Sequence, residues 1–276
     1  MSPGLVTDSN SQIPAELVER FGVEVVPITV VIDGVEHLEG TDFDADDFYD
    51  HFEGGRVPEV STSQPSPGQF VEAYRRCIDR GCDEIVSVHV AESLSGTLNS
   101  ARVAAEMVDV PVHLVDSGTA SFGIACCVWQ AGLAGAGGGD ALTMVAAAEQ
   151  AAAGLYSVTA LGAARLLKQS GRVDFEVSEE AIELFTTAPG GVFEVLGTAA
   201  SVDEVCDRVA QAMHLDGRPI RVALGMADRD SLPYFDAIES RLRDRDDVVE
   251  ILRYRIGPSV GALTGPGTAG GFWYAA

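Results

Sequence analysis

Two runs in the first half of the chain, "EIVSVHV" (84–90) and "VPVHLVDS" (110–117), are apolar almost without interruption. A strand with one wet face alternates apolar and polar side chains; a near-continuous apolar strand is covered on both faces, as strands of parallel sheets are. Each run ends in a polar turn and is followed by a helix-patterned segment, "LSGTLNSARVAAEMV" (94–108) and "FGIACCVWQAGLAGAG" (122–137). Before them, "GLVTDS" (4–9) reads as a strand and "PAELVERFG" (14–22) as a helix started by Pro14 and stopped by Gly22. Strand and helix alternate in this way to about residue 150, and that rhythm specifies a parallel sheet with helices on both faces. Two departures interrupt it: a hairpin insertion near 23–40, turned at Asp33-Gly34, and a short acidic helix, "DADDFYDHFEGG" (44–55).

The second half has its own order. Helix-like "SEEAIELFTTA" (178–188) precedes strand "GVFEVLGTA" (191–199) and helix "DEVCDRVAQAMHL" (203–215). Strand "IRVALGMAD" (220–228), helix "LPYFDAIESRLRDR" (232–245) and strand "VVEILRYRIG" (248–257) follow. The reading is α/β in class, with two α/β domains, 1–153 and 154–276. No low-complexity linker lies between them, so close packing with a crevice is expected.

Charge removes whole classes of partner. The chain carries −24 over 276 residues and has one lysine, Lys168. A nucleic-acid binder needs a basic face, and an anionic membrane surface is equally excluded as a stable partner. The five cysteines (77, 82, 126, 127, 206) show no CxxC, so they read as small buried apolar side chains rather than a disulfide framework. The start, "MSPGLVTDSN", has neither a basic nor an apolar leader, and the alanine-rich 141–164 is broken by Glu149, Gln150 and Gly154. A soluble, cytoplasmic protein is expected. The five histidines lack metal-ligand spacing; His89 and His113 sit inside apolar strands as core or edge residues. GxSxG, Walker and GxGxxG patterns do not occur, and no cofactor is implied.

Chemistry-bearing residues gather in polar stretches. Thr7-Asp8-Ser9, Thr62-Ser63-Gln64 and Ser93 to Thr97 are placed at strand-to-helix turns, and such turns collect at the carboxyl edge of a parallel sheet, where ligands bind. In "STSQPSPGQF" (61–70), Ser66 and Pro67 are helix punctuation, which leaves Ser61, Thr62, Ser63 and Gln64 without a structural task. "LSGT" opens a helix whose first amides suit a carboxylate or phosphate, although Ser95 or Thr97 would cap that helix in any case. Near the end, "GPSVGALTGPGTAGGF" (257–272) reads as an ordered glycine-rich loop bearing Thr264.

Taken together these stretches resemble the DegV family of bacterial fatty-acid-binding proteins. The resemblance rests on "TDSNSQIP" (7–14), "TSQPSPGQF" (62–70), "LSGTLNSA" (94–101), "VDSGTASFG" (115–123), "SGRV" (170–173) and "GPSVGALTGPG" (257–267), in the family's order along nearly the whole chain. It implies an EDD-type fold that holds one long-chain fatty acid, such as palmitate, stearate or oleate, in a tunnel between the two domains. By the family pattern Thr62 and Ser95 bond the carboxylate, Ser63 and the Gly96 amide lie beside it, Arg172 stands near the head group, and Thr264 arrives from the C-terminal segment. Phe122, Trp129, Leu161 and Phe193 are candidates for the tunnel wall. The implied role is a carrier, and the implied partner is a fatty-acid kinase that phosphorylates the bound acid. The chain departs from the family where Leu263 replaces a His, where "APGG" (188–191) replaces a Lys-Pro, and where Ala200 stands near a family Arg. Those are cations that a phosphate would meet.

Two other readings stay open on the residues alone. One is an enzyme acting on acyl groups or acyl phosphates with Asp8 or Asp116 as catalytic carboxylate, each ending a strand; set against it, both serve as caps of neighbouring turns. The other is a carrier for a different hydrophobic carboxylate.

Overall fold

The computed structural model describes residues 3–162, 182–188 and 192–276. Its contacts divide the chain into two units, one formed by 1–42 and 60–153, the other by 43–59 and 154–276. The acidic segment 43–59, read above as part of the N-terminal domain, thus groups with the C-terminal unit.

The first unit is built on β1 (Gly4–Asp8), β2 (Glu24–Val26), β6 (Ile85–His89) and β7 (Val112–Asp116), in the order β2-β1-β6-β7, all parallel. Every residue of β1 and β6 is buried, because helices lie on either side of both strands. Leu5, Val86, Val88 and Val115 face α5 (Phe122–Ala136) and α6 (Ala141–Ala153), through Ile124, Val128 and Met144. Val6, Val26 and Ile85 face α3 (Pro67–Asp79) and α4 (Thr97–Ala105), through Phe70, Tyr74 and Ala101. Burying a side chain of this size is worth about 1.5–3 kcal/mol, so two covered faces supply the main cohesion of the unit.

The hairpin is narrower than the sequence suggests. Residues 24–26 join the parallel sheet as β2, and only β3 (Thr29–Ile32) and β4 (Val35–Leu38) form the hairpin. Its turn has Asp33 and Gly34 both at positive φ (50° and 85°), as a two-residue hairpin loop requires. A third strand, β5 (Val60–Ser63), adds antiparallel to β3 and gives a separate sheet, β4-β3-β5. Thr62 and Ser63 therefore lie on a strand of this small sheet, not on a turn of the parallel one as expected. β5 pairs Thr62 with Val30 and Ser63 with Thr29, and its β-branched Val60 and Thr62 fit such a strand.

Helix α3 begins in the manner read from its sequence. Ser66 Oγ accepts from Gln69 N (3.4 Å), Gln69 Oε1 accepts from Ser66 N (2.9 Å), and Pro67 takes the first helical position. Ser66→Ala is expected to cost about 1 kcal/mol of the first unit's stability, measured as a shifted denaturant midpoint; an unshifted midpoint would deny the cap its role.

Among the described residues the second unit has a six-stranded sheet, β10-β9-β8-β13-β11-β12. Its strands are β8 (Tyr156–Leu161), β9 (Ile182–Ala188), β10 (Val192–Ala199), β11 (Ile220–Met226), β12 (Val248–Arg255) and β13 (Ala269–Ala275). Only β11 and β12 run parallel; the other neighbours are antiparallel. Helices α7 (Val202–Ala212) and α8 (Leu232–Arg243) pack on it through Val205, Val209, Phe235, Ile238 and Leu242. The segment "IELFTTA", read above as part of a helix, is strand β9. Pairing with β8 on one side and β10 on the other decides its state against local composition. The C-terminal glycine-rich stretch is not a loop throughout: it forms helix α9 (Pro258–Thr264) and then strand β13. Helix α2 (Ala45–Asp50) belongs here because Asp46 pairs with Arg255 at 2.8 Å and because Phe48 and Tyr49 crowd Gly261 of α9.

Candidate functional site

At the carboxyl edge of the parallel sheet β1 ends in Asp8, β6 in His89 and β7 in Asp116. Asp8 is fully buried and accepts three N–H groups. His89 Nδ1 (2.9 Å) and Val90 N (3.2 Å) reach Oδ2, and Asn10 N (3.1 Å) reaches Oδ1. His89 Nε2 lies 2.6 Å from Ser87 Oγ, and Ser87 Oγ lies 3.1 Å from the Tyr74 hydroxyl. That hydroxyl also reaches the Ala101 carbonyl at 3.4 Å. Burial pushes the Tyr74 phenol up to about 12, so it remains a donor. The histidine that the sequence order did not offer to Asp8 thus arrives from 81 residues away, because β1 and β6 are neighbours. Asp, His and Ser in series have the composition of an acid–base relay, yet all four side chains have 0% exposure. This chain of hydrogen bonds ties β1, β6 and α3 together.

Asp116 is exposed and caps the loop after β7, accepting from Gly118 N (2.9 Å) and Glu92 N (3.3 Å). The two stretches "TDSNSQIP" and "VDSGTASFG" meet through Ser121, which donates its N–H to Asn10 Oδ1 and its hydroxyl to Gln12 Oε1, both at 2.9 Å. These bonds hold Ser121 at φ +59°, a conformation rare outside glycine.

A second polar cluster joins β5 to the start of α4. Gln64, two residues past Thr62, donates from Nε2 to Ser100 Oγ at 3.1 Å. Its amide lies flat against Gly96, where a Cβ would come within 2.1 Å of Gln64 Oε1. A residue larger than glycine at 96 would push this side chain away, so Gly96 and Gln64 fit as a pair. Gly96 is the N-cap of α4 and makes no side-chain cap, so neither Ser95 nor Thr97 caps the helix as expected; Ser95 Oγ instead accepts from Thr97 N (3.3 Å) across a turn and shares a hydrogen bond with Thr97 Oγ1 (2.9 Å). The helix behind it, α4, presents its first-turn amides at the same place, where the dipole favours an anion. Thr62, Ser95 and Gly96 are half-buried, and Ser63 is exposed. The role of Gln64 escaped the sequence reading, which noted only that it had no structural task.

In the other unit, Thr264 is the last residue of α9; its hydroxyl donates to the Val260 carbonyl (3.2 Å), and its carbonyl accepts from Thr268 Oγ1 (2.8 Å). Arg172 and the rest of "SGRV" lie outside the described residues, as does the side chain of Phe193. Phe122, Trp129 and Leu161 are buried. A cleft of about 460 Å³ in this unit is lined by Asp46, Asp50, Glu53, Asp228 and Asp230 with Arg229, a wall that repels a carboxylate. Among the described residues no group of three or more His, Cys, Asp or Glu side chains is placed to hold a metal ion, and no helix is long and apolar enough to cross a membrane.

A sequence model of the family described as "uncharacterised protein, DegV family" matches residues 3–276. The chain belongs to the DegV family. A DegV domain-containing protein of Streptomyces coelicolor is 33% identical over 276 residues, spanning 96% of each chain. Among solved structures, a DegV family protein of Thermus thermophilus, described for its fatty acid binding, superposes with a TM-score of 0.90 at 27% identity, covering 100% of both chains. DegV of Bacillus subtilis, described as a fatty acid binding protein, superposes with a TM-score of 0.85 at 22% identity, also over 100% of both chains, a likeness of fold.

Proposed function

We propose that this DegV protein binds one long-chain fatty acid, with its carboxylate at the cluster formed by Thr62, Ser63, Ser95 and Gly96, and acts as a carrier rather than an enzyme. The observation that carries the reading is the Gln64 bridge, which couples the exit of β5 to the amino end of α4 and so sets two hydroxyl-bearing segments beside a helix start. Full-length likeness to the Thermus fatty-acid-binding protein supports it. Arg172 and Thr264 are assigned to the same head group on the family pattern.

The energetics divide between the two ends of the ligand. A sixteen-carbon acid carries fifteen methylene and methyl groups, and at about 0.8 kcal/mol each their burial is worth on the order of 12 kcal/mol before ordering costs. The tail therefore drives binding, while the carboxylate, costly to bury alone, needs directed donors. Leu263 and Ala200 supply no positive charge for an acyl phosphate, so the reading is confined to binding and presentation of the free acid.

Solvent extraction of denatured, purified protein, followed by mass spectrometry, tests the reading. A fatty acid of about C14–C18 at near one per chain is expected; protein recovered empty from lipid-rich cells in repeated preparations would overturn it. An acyl thioester or acyl phosphate should pass through unchanged, because the Asp8 and Asp116 oxygens are engaged by N–H groups of their own unit.

A further inference from the structure

Helix α3 closes on itself in a particular way. Cys82 N donates to the Cys77 carbonyl (3.1 Å) and Gly81 N to the Ile78 carbonyl (2.8 Å), with Gly81 at φ +92°. This is the paired closure in which the residue three places from the helix end meets the residue just past the turn, commonly as an apolar contact. Here both residues are cysteines, and both are free thiols. Their sulfurs converge on one point beside β1: a Cβ on Gly4 would lie 2.9 Å from Cys77 Sγ and 3.3 Å from Cys82 Sγ. Glycine at position 4 leaves that space to the sulfurs. A direct backbone hydrogen bond holds the two residues close, and a disulfide needs Cα atoms about 4.4–6.8 Å apart.

We propose that Cys77 and Cys82 form a redox-active dithiol, which a hydroperoxide oxidises to an intramolecular disulfide. Cys82 is the partly exposed member and Cys77 the buried one, so the two steps fall to different sulfurs. The Cys82 thiolate attacks one peroxide oxygen; the O–O bond breaks, water leaves after protonation, and a sulfenic acid forms on Cys82. The Cys77 sulfur then attacks the sulfenic sulfur; the S–O bond breaks, and hydroxide departs as water with the Cys77 proton. Two thiols lose two electrons and two protons, and hydrogen peroxide becomes two waters. Burial pushes the Cys77 thiol up to about 11, while the Arg80 guanidinium, whose Nη2 donates to Cys77 Sγ at 3.5 Å, works in the opposite direction. A buried thiol held high is a poor first target for an oxidant but remains competent against a sulfur already beside it. Cys126, Cys127 and Cys206 are buried without such a closure, and burial holds the Cys127 thiol up to about 12.

The test treats the full chain with stoichiometric hydrogen peroxide, alkylates it under denaturing conditions and maps it with trypsin without reduction. Trypsin cuts after Arg76, Arg80 and Arg102, so the bridge would join peptide 77–80 to peptide 81–102. The expected result is that linked pair as the main product, with two of the five thiols lost, both recovered by a thiol reductant. Cys77→Ser should stop at a Cys82 sulfenic acid that dimedone traps. The proposal is overturned if wild-type protein shows only a sulfinic or sulfonic Cys82, a Cys82-linked dimer, or five unchanged thiols after treatment.

Discussion

Replacing Asp8 with alanine is expected to cost the N-terminal unit about 3–5 kcal/mol, a large share of a typical folding free energy. The substitution removes the common acceptor of three donors, His89 Nδ1, Val90 N and Asn10 N, all on buried residues and His89 fully so. Each orphaned donor carries a desolvation penalty of about 1–3 kcal/mol, reduced in sum because the pocket relaxes. Asp8→Asn keeps one acceptor oxygen and is expected to lose less. The measurement is made simple by the tryptophans, since Trp129 lies in the first unit and Trp273 in the second. In a Trp273→Phe background, denaturant unfolding followed by fluorescence reports the first unit alone. A shift below 1 kcal/mol for Asp8→Ala would mean that the hydrogen-bonded series through His89, Ser87 and Tyr74 does not hold the sheet as described.

The same residues show how far the sequence carries. Elements defined by contacts along the chain were legible: the apolar runs of β6 and β7, the turn at Asp33-Gly34, and the Ser66–Gln69 cap follow from local pattern and local hydrogen bonds. Where pairing between distant segments decides, local pattern failed. Residues 182–188 follow a helix-favouring "SEEA", yet they pair on both edges and so become β9. "AGGFWYA" hides a strand behind its glycines; a Cβ at Gly271 would sit 2.0 Å from the Ala223 carbonyl oxygen, so the glycine that obscures the pattern is what the close strand approach needs. Asp8 is visible as a strand end and His89 as a residue within an apolar strand, but their contact follows from the order of strands, which no single segment encodes. The candidate site divides likewise. Thr62, Ser95 and Gly96 stand out by composition, whereas Gln64, which joins their two segments, has no local signature.

The combined substitution Thr62→Val and Ser95→Ala is expected to weaken fatty-acid retention by about two to four decades, since a hydrogen bond to a charged group is worth about 1.5–3 kcal/mol and each 1.4 kcal/mol is tenfold. Valine keeps the shape of Thr62 and removes only the hydroxyl. At Ser95 the oxygen already accepts from Thr97 N and is paired with Thr97 Oγ1; when the Thr97 hydroxyl donates to it, the Ser95 proton is released toward a carboxylate. Ser95→Ala therefore removes both the acceptor for Thr97 N and the donor, and the loss of that turn hydrogen bond, about 1 kcal/mol, must be read separately as stability. Thr62→Ser, which retains a hydroxyl, is the companion that should keep most of the affinity. Delipidated protein titrated with a fluorescent fatty acid, alongside the denaturation midpoint of each variant, separates the two effects. Unchanged affinity in a folded double variant would move the carboxylate away from the β5–α4 cluster, while the extraction experiment would still decide on its own whether the chain carries a lipid.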